Sequence, residues 1–221
     1  MFKEILALIQ KDIRLEWRQK SAFNGILLYL VSTVFVSYLS FNLKKSQLQG
    51  ITWNALFWII LLFTAVNTIS KSFLQESEDR QLYYFTLVSP ESMILSKMIY
   101  NSLLMFLMSG IALFFYTLFL DNPVLDQGLF LLNLFLGSLG FSLTLTMIAG
   151  IASKVQNSST LMAVLSFPVV LPLLLLLIRV SKNAIDGLDR TVSEGTLLSI
   201  LALNGILAVL SYILFPYLWK S

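Results

Sequence analysis

The sequence predicts an all-α integral membrane protein with six transmembrane helices. Of its 221 residues, 57% are hydrophobic and only 12% are charged, whereas soluble domains carry about 25% charged residues. A helix needs about 20 mostly apolar residues to cross a bilayer, and the chain contains six uncharged runs of about that length. The formal net charge of +3 is small, which argues against a nucleic-acid partner.

The first 20 residues predict an amphipathic helix that lies in the membrane interface. One helical stripe carries the apolar side chains Phe2, Leu6, Ile9, Ile13 and Trp17. The other face carries the basic side chains Lys3, Lys11, Arg14 and Arg18. Glu4, Asp12 and Glu16 interrupt the apolar core that a signal peptide requires. We therefore expect this segment to stay in the mature protein.

Residues 1–221 are expected to form a single transmembrane domain. Pro168 and Pro172 predict a bend in the fifth span, since proline removes a backbone donor. Thr191 and Glu194 have the spacing of a capping box that starts the last helix. The spans themselves are predicted at 22–43, 52–72, 98–120, 128–152, 160–178 and 195–218.

The distribution of basic residues predicts that both termini are cytoplasmic. With the N-terminus inside, the inner side holds ten of them: Lys3, Lys11, Arg14, Arg18, Lys20, Lys71, Arg80, Lys97, Lys154 and Lys220. The outer side holds five: Lys44, Lys45, Arg179, Lys182 and Arg190. Segment 73–97 is then cytoplasmic. Segment 179–194 faces out, and its Gly187 suits either a re-entrant hairpin or a plain surface loop.

Several chemistries are excluded because their residues are missing. The chain has no cysteine and no histidine, so it has no thiol catalysis, thiolate metal site or histidine-ligated haem. The predicted spans contain no ionisable acid or base except Lys71, which weakens a proton- or ion-coupled carrier. The sequence also shows no acid and base that would converge on a nucleophile, so it predicts no active site. We expect a non-catalytic chain without a metal or cofactor of its own, driven by a partner.

The fourth predicted span carries small and polar residues at intervals of four, three and four. Such a face lets another helix approach closely, and packing within the subunit is favoured over a substrate path. The residues are Asn133, Gly137, Gly140 and Thr144. Interhelical hydrogen bonds, ahead of ligand contacts, are expected of Asn67, Asn101 and Asn204.

Segment 73–97 is the densest group of charges between two apolar runs. Ser77 is a plausible N-cap, and Glu78 and Asp79 in the first turn complement the helix dipole. Leu82 and Phe85 are three residues apart and share a face. The pattern predicts a short amphipathic helix, although a solvated connector is the simpler alternative.

A second helix is predicted directly after it. Ser89, Pro90 and Glu91 read as the N-cap, the first helical proline and the first-turn acid. This helix is expected to continue through Lys97 into the third span. The segment would thus be helix, turn and helix, with both ends fixed to membrane spans.

The motifs "LEWR", "ESEDRQL" and "SPESMILSK", with six spans in about 220 residues, resemble the haem exporter protein B family, CcmB. The resemblance covers essentially the whole chain. It implies an ABC-2-like permease that is paired as a dimer with two ATP-binding subunits. Segment 73–97 would hold the coupling helix, and the ATPase-coupling surface would comprise Glu76, Glu78, Asp79, Arg80, Leu82, Phe85 and Pro90. Arg80 and Tyr83 depart from the family pattern, which has a small residue and an acid there.

The resemblance also implies a bacterial inner membrane location, a haem-handling membrane partner and a periplasmic haem chaperone. It further implies that haem is a possible cargo of that complex and that ATP is bound by the partner. Since the usual axial ligand of haem is missing from this chain, ATP-driven conformational coupling is favoured over haem ligation. Two alternatives stay open: an ABC-2-type permease that exports a lipid, glycan or drug, and a non-transporting membrane scaffold for haem-handling partners.

Overall fold

The computed structural model describes residues 1–18, 20–42, 49–74, 88–152 and 158–220. Within these ranges the chain is all helical with short connections, and no strand is present. The helices are α1 (Phe2–Arg18), α2 (Lys20–Asn42), α3 (Gly50–Leu74), α4 (Pro90–Leu120), α5 (Gln127–Ala152), α6 (Ser158–Ile185) and α7 (Thr191–Lys220). Each helix from α2 to α7 contains a span long and apolar enough to cross a membrane. The predicted all-α, six-span fold is confirmed.

Helix α4 begins where the sequence predicts a helix start. Ser89 is the N-cap, its side chain accepts a hydrogen bond from the backbone N–H of Ser92 at 3.4 Å, and Pro90 opens the helix. The 31 residues of α4 span about 46 Å at a rise of 1.5 Å per residue. A hydrocarbon core is about 30 Å thick. Helix α4 is therefore longer than the hydrocarbon core is thick.

The connection between α6 and α7 is a tight turn. Helix α6, which contains Pro168 and Pro172, continues to Ile185, beyond the expected end at residue 178. Gly187 then adopts a φ of 66°, and the N–H of Leu188 donates to the carbonyl of Asn183 at 3.0 Å. This is the pattern of a glycine-terminated helix. Segment 179–194 is a helix end, a turn and a helix start.

The start of α7 differs from the predicted capping box. Thr191 is the first helical residue rather than the cap. The carboxylate of Asp189 accepts a hydrogen bond from the Thr191 N–H at 3.2 Å. An aspartate can satisfy a backbone donor two residues later through this local turn, so Asp189 takes over the role expected of the threonine.

Helix α5 forms the centre of the bundle. In its most apolar stretch 78% of residues are buried, against 17–44% in the other spans, and it packs against α3, α4, α6 and α7. The aromatic part of the core includes Trp53, which stacks on Phe57 at 5.7 Å. The hydroxyl of Tyr116 donates to the Trp53 carbonyl at 2.9 Å, and the Trp53 indole donates to the carbonyl of Asp121 at 3.0 Å. Both polar tips are thus satisfied inside an apolar core.

Candidate functional site

The predicted coupling surface lies largely outside the described residues. Glu76, Glu78, Asp79, Arg80, Leu82 and Phe85 belong to 75–87, which the structure does not describe. Pro90 is described, as the first residue of α4. Helix α3 leads to this segment at Leu74, and α4 follows it after the Ser89 cap. Whatever binds the segment is therefore connected directly to two membrane spans.

A row of acidic side chains joins α1 to the beginning of α4. Residues four or eight positions apart share a helix face, and the acids of α1 have this spacing, with buried Leu8 between them. Each acid contacts one residue of the α4 start. Ser89 Oγ lies 3.3 Å from Glu4 Oε2, Lys97 Nζ lies 3.1 Å from Asp12 Oδ2, and Tyr100 Oη lies 3.2 Å from Glu16 Oε2. These contacts fix α1 along the first three turns of α4.

Helix α1 consequently has three faces, not two. The face with Leu8 and Asp12 is buried against the protein. In the predicted apolar stripe, Phe2 is 79% exposed, Leu6 49% and Ile13 41%, as suits side chains that meet lipid. Of the basic residues, Lys3, Arg14 and Arg18 are exposed, whereas Lys11 lies against Asp12. The sequence interpretation missed the protein-facing side, although the spacing of Glu4, Asp12 and Glu16 carries its signal.

The ion pair between Asp12 and Lys97 is almost completely withdrawn from solvent. The side chain of Asp12 is 5% exposed and that of Lys97 is 3% exposed. Lys11 Nζ lies 3.2 Å from the other carboxylate oxygen of Asp12. Asp12 Oδ2 makes no hydrogen bond of good geometry within the described residues, so its 3.1 Å approach to Lys97 is held mainly by charge. Removing either residue would break this buried pair.

The small and polar face of α5 is buried within the bundle. Asn133, in the N-terminal part of α5, donates from Nδ2 to the carbonyl of Leu177 at 2.9 Å and to Ser181 Oγ at 2.7 Å. The indole nitrogen of Trp58 donates to the same Ser181 oxygen at 2.8 Å. One hydroxyl on α6 therefore connects α3 and α5, as polar groups commonly do between membrane helices.

The two glycines of this face allow neighbouring helices to approach closely. A Cβ placed on Gly137 would lie 2.8 Å from the Trp58 ring, and one on Gly140 would lie 2.6 Å from Asn204 Oδ1 and 2.7 Å from Leu173 Cδ2. Thr144, one turn further on, is fully buried, and its hydroxyl has no hydrogen-bond partner within the described residues. The glycine contacts lie within one chain.

The other singled-out asparagines divide into two groups. The Asn101 amide donates to Thr146 Oγ1 at 2.9 Å, and that of Asn204 donates to the Leu136 carbonyl at 3.0 Å. Asn67 is exposed on α3. Asn54, which the sequence interpretation did not single out, donates to the Ile178 carbonyl at 2.8 Å. The buried asparagines, Asn54, Asn101 and Asn204, therefore join neighbouring helices by hydrogen bonds. In the described residues, no cluster of three or more Asp or Glu side chains could hold a metal ion.

The family model described as CcmB protein matches residues 3–216 of the chain. The match extends from the start of α1 to the end region of α7 and includes the segment that joins α3 to α4. No curated protein matches the chain.

Proposed function

This chain belongs to the CcmB family, and on that premise we propose that it is the membrane permease subunit of an ABC transporter complex in cytochrome c maturation. In this complex an ATP-binding subunit hydrolyses ATP. The permease couples hydrolysis to haem export or to release of a haem-loaded periplasmic chaperone. The observation that supports the proposal most directly is the near full-length family match together with the six membrane spans.

The proposed site of energy input is segment 73–97. Its coupling surface comprises Glu76, Glu78, Asp79, Arg80, Leu82, Phe85 and Pro90. This assignment is supported by how the chain continues on either side. Helix α4 runs without a break from Pro90 to Leu120, so a displacement of its first turn is passed along the whole span. A partner shifts such an equilibrium only if it binds one state better than the other. The coupling surface would have to contact the ATPase differently in its two nucleotide states.

Helix α1 would move with α4 in this mechanism. The contacts of Glu4 with Ser89 and of Asp12 with Lys97 join the interfacial helix to the turns that directly follow the coupling segment. A push on α4 is thereby delivered to the membrane surface as well as to the bundle. We propose that the protein works as a homodimer in the bacterial inner membrane, with both termini cytoplasmic and with a haem-handling membrane protein as a further partner.

A charge-reversal experiment tests the coupling surface. Glu78→Lys combined with Asp79→Lys should reduce co-purification of the ATP-binding subunit and the yield of holo-cytochrome c, because two anionic contacts become cationic. Membrane insertion should stay normal. The matched control is Asp186→Lys combined with Glu194→Lys, two exposed acids beside the turn between α6 and α7, which should retain the ATPase. Unchanged co-purification of the Glu78/Asp79 variant would remove the main support for the coupling surface.

Two further measurements separate the remaining functions. Deleting the chain should abolish holo-cytochrome c, and expressing it again should restore the product. If the chain were instead a permease for a lipid, glycan or drug, its deletion would leave cytochrome c maturation intact. A partner that binds ATP but cannot hydrolyse it should also abolish maturation. If maturation persists with that partner, the protein acts as a scaffold and the energy-coupling proposal is wrong.

A further inference from the structure

A groove of about 430 Å³ lies between α1, α2 and the N-terminal half of α4. Its volume falls in the range of about 300–1,000 Å³ that is typical of small-molecule sites. Ile13 on α1 and Phe23 on α2 contribute apolar wall, and the polar side chains of Glu16 and Asn24 also line it. The groove thus combines an apolar surface with a small number of polar groups, including one carboxylate.

The α4 wall has the shape of a track for a hydrocarbon chain. Tyr100, Leu103, Leu104 and Leu107 line the groove, and their spacing places them on one face of the helix. They rise by about 10 Å along the helix axis. Leu103 is 53% exposed and Leu107 is 51% exposed. Since this stretch belongs to a membrane span, its open side is available to an acyl chain.

The polar groups lie where the span meets the interface. Tyr100 follows Lys97 by three residues, and the uncharged run of α4 begins between them. The Tyr100 hydroxyl donates to Glu16 Oε2 at 3.2 Å. A carboxylate offers about four lone-pair sites, so Glu16 retains capacity for N–H donors besides this hydroxyl. An interfacial tyrosine with its polar end towards headgroups is common in membrane proteins.

We propose that this groove binds a membrane lipid whose headgroup carries a primary ammonium, with one acyl chain along Leu103, Leu104 and Leu107. The ammonium donates charge-assisted hydrogen bonds to the Glu16 carboxylate. The Asn24 amide provides a further donor for the polar part of the lipid. An amphiphile that presents carboxylates, such as haem with its propionates, is disfavoured because it would meet a like charge. This site is separate from the coupling surface and goes beyond the proposed function.

The test measures lipid binding to the full-length protein by native mass spectrometry. Dioleoyl phosphatidylethanolamine should bind about tenfold more tightly than dioleoyl phosphatidylcholine, whose ammonium has no N–H, because charge-assisted hydrogen bonds to Glu16 are lost. Dioleoyl phosphatidylglycerol, which has no ammonium, should bind no better than the choline lipid. Glu16→Gln should reduce the preference for the ethanolamine lipid to about twofold or less, since it removes the charge and retains the shape.

Filling the groove provides a second, independent arm. Leu104→Trp should abolish binding of all three lipids at this site, because the larger side chain occupies the track. The matched control is Leu118→Trp, an exposed position further along α4, which should bind lipid as the unchanged protein does. Equal binding by the two tryptophan variants, or equal affinity for the ethanolamine and choline lipids, would overturn the proposal.

A cross-linking arm tests whether a second copy fills the groove instead. The chain has no cysteine, so Leu107→Cys introduces a single thiol. With a lipid in the groove, this thiol should react with an apolar maleimide only after detergent delipidation. Efficient disulfide cross-linking of two chains in the native membrane would show that the groove is a dimer interface, and the lipid site would be wrong.

Discussion

Lys97 on α4 lies 3.1 Å from Asp12 on α1, and both side chains are almost completely buried. The two residues belong to segments that the sequence treats separately, an interfacial helix and the end of a charged connector. Burying an ion pair costs desolvation free energy that the mutual attraction offsets only in part. The pair therefore contributes more to fixing which turns of the two helices meet than to the total stability.

The first prediction concerns this pair. Lys97→Met or Asp12→Leu alone should lower the free energy of unfolding by about 3–5 kcal/mol, since each removes one member of a buried ion pair. The double variant should recover most of this loss, because two apolar side chains can pack against each other in place of the ion pair. Thermal unfolding in detergent measures both effects. If the losses of the two single variants simply add in the double variant, the residues are not coupled.

The second prediction concerns the pH dependence of stability. It rests on the contact between Asp126, which precedes α5, and Arg190, which precedes α7. Arg190 donates to both carboxylate oxygens of Asp126, at 2.7 and 2.8 Å, and this guanidinium together with the Leu129 N–H lowers the pKa of Asp126 from 3.8 to about 2. A depressed pKa stabilises the fold above pH 3.8, and the contribution is lost as the pH falls towards 2. Arg190→Gln should flatten this part of the pH dependence.

The apparent unfolding temperature between pH 6 and pH 2.5 provides the measurement. Arg179→Gln is the matched control, since Arg179 is also exposed at the end of α6; it should keep the pH dependence of the unchanged protein. Equal profiles for the two variants would show that the Asp126 contact contributes nothing in solution.

The fold could be predicted from sequence because its main signals are local. Length and apolarity of each run determine the spans, and the Ser89 and Pro90 signals place the start of α4 correctly. The end of α6 could not be predicted as well. The charged residues after Ile178 indicate a boundary with water, whereas the helix continues until Gly187, at a φ of 66°, permits the turn. Polarity and helix termination are different physical events.

The protein-facing side of α1 was missed for another reason. Glu4, Asp12 and Glu16 are hydrophilic, and in a membrane protein such residues suggest water or the interface. Their role depends on Ser89, Lys97 and Tyr100, which are over 80 residues away. Pairing across that distance is a property of the packed helices. The groove beside Tyr100 arises from the same packing and has no sequence signature of its own.

The third prediction concerns the shared hydroxyl of Ser181. It accepts hydrogen bonds from Trp58 at 2.8 Å and from Asn133 at 2.7 Å, so Ser181→Ala leaves a buried indole N–H without its acceptor. The expected loss is about 1–3 kcal/mol in the free energy of unfolding. Ser199→Ala is the control, because Ser199 is exposed and donates only within its own helix to Gly195; its effect should stay within about 0.5 kcal/mol. Comparable losses in both variants would contradict the network.

The last prediction contrasts two glycines in membrane spans. Gly140→Ala should destabilise the protein by about 1–3 kcal/mol, because the added Cβ would lie 2.6 Å from Asn204 Oδ1 and 2.7 Å from Leu173 Cδ2. Gly110→Ala meets nothing within 4 Å and should instead stabilise α4 by about 0.5–1 kcal/mol, since alanine has the higher helix propensity. Unfolding of both variants in the same detergent measures the difference. Changes of opposite sign in the free energy of unfolding would distinguish close helix packing at Gly140 from a general effect of glycine in a membrane helix. If both substitutions stabilise the protein, α5 can move away from its neighbours without cost.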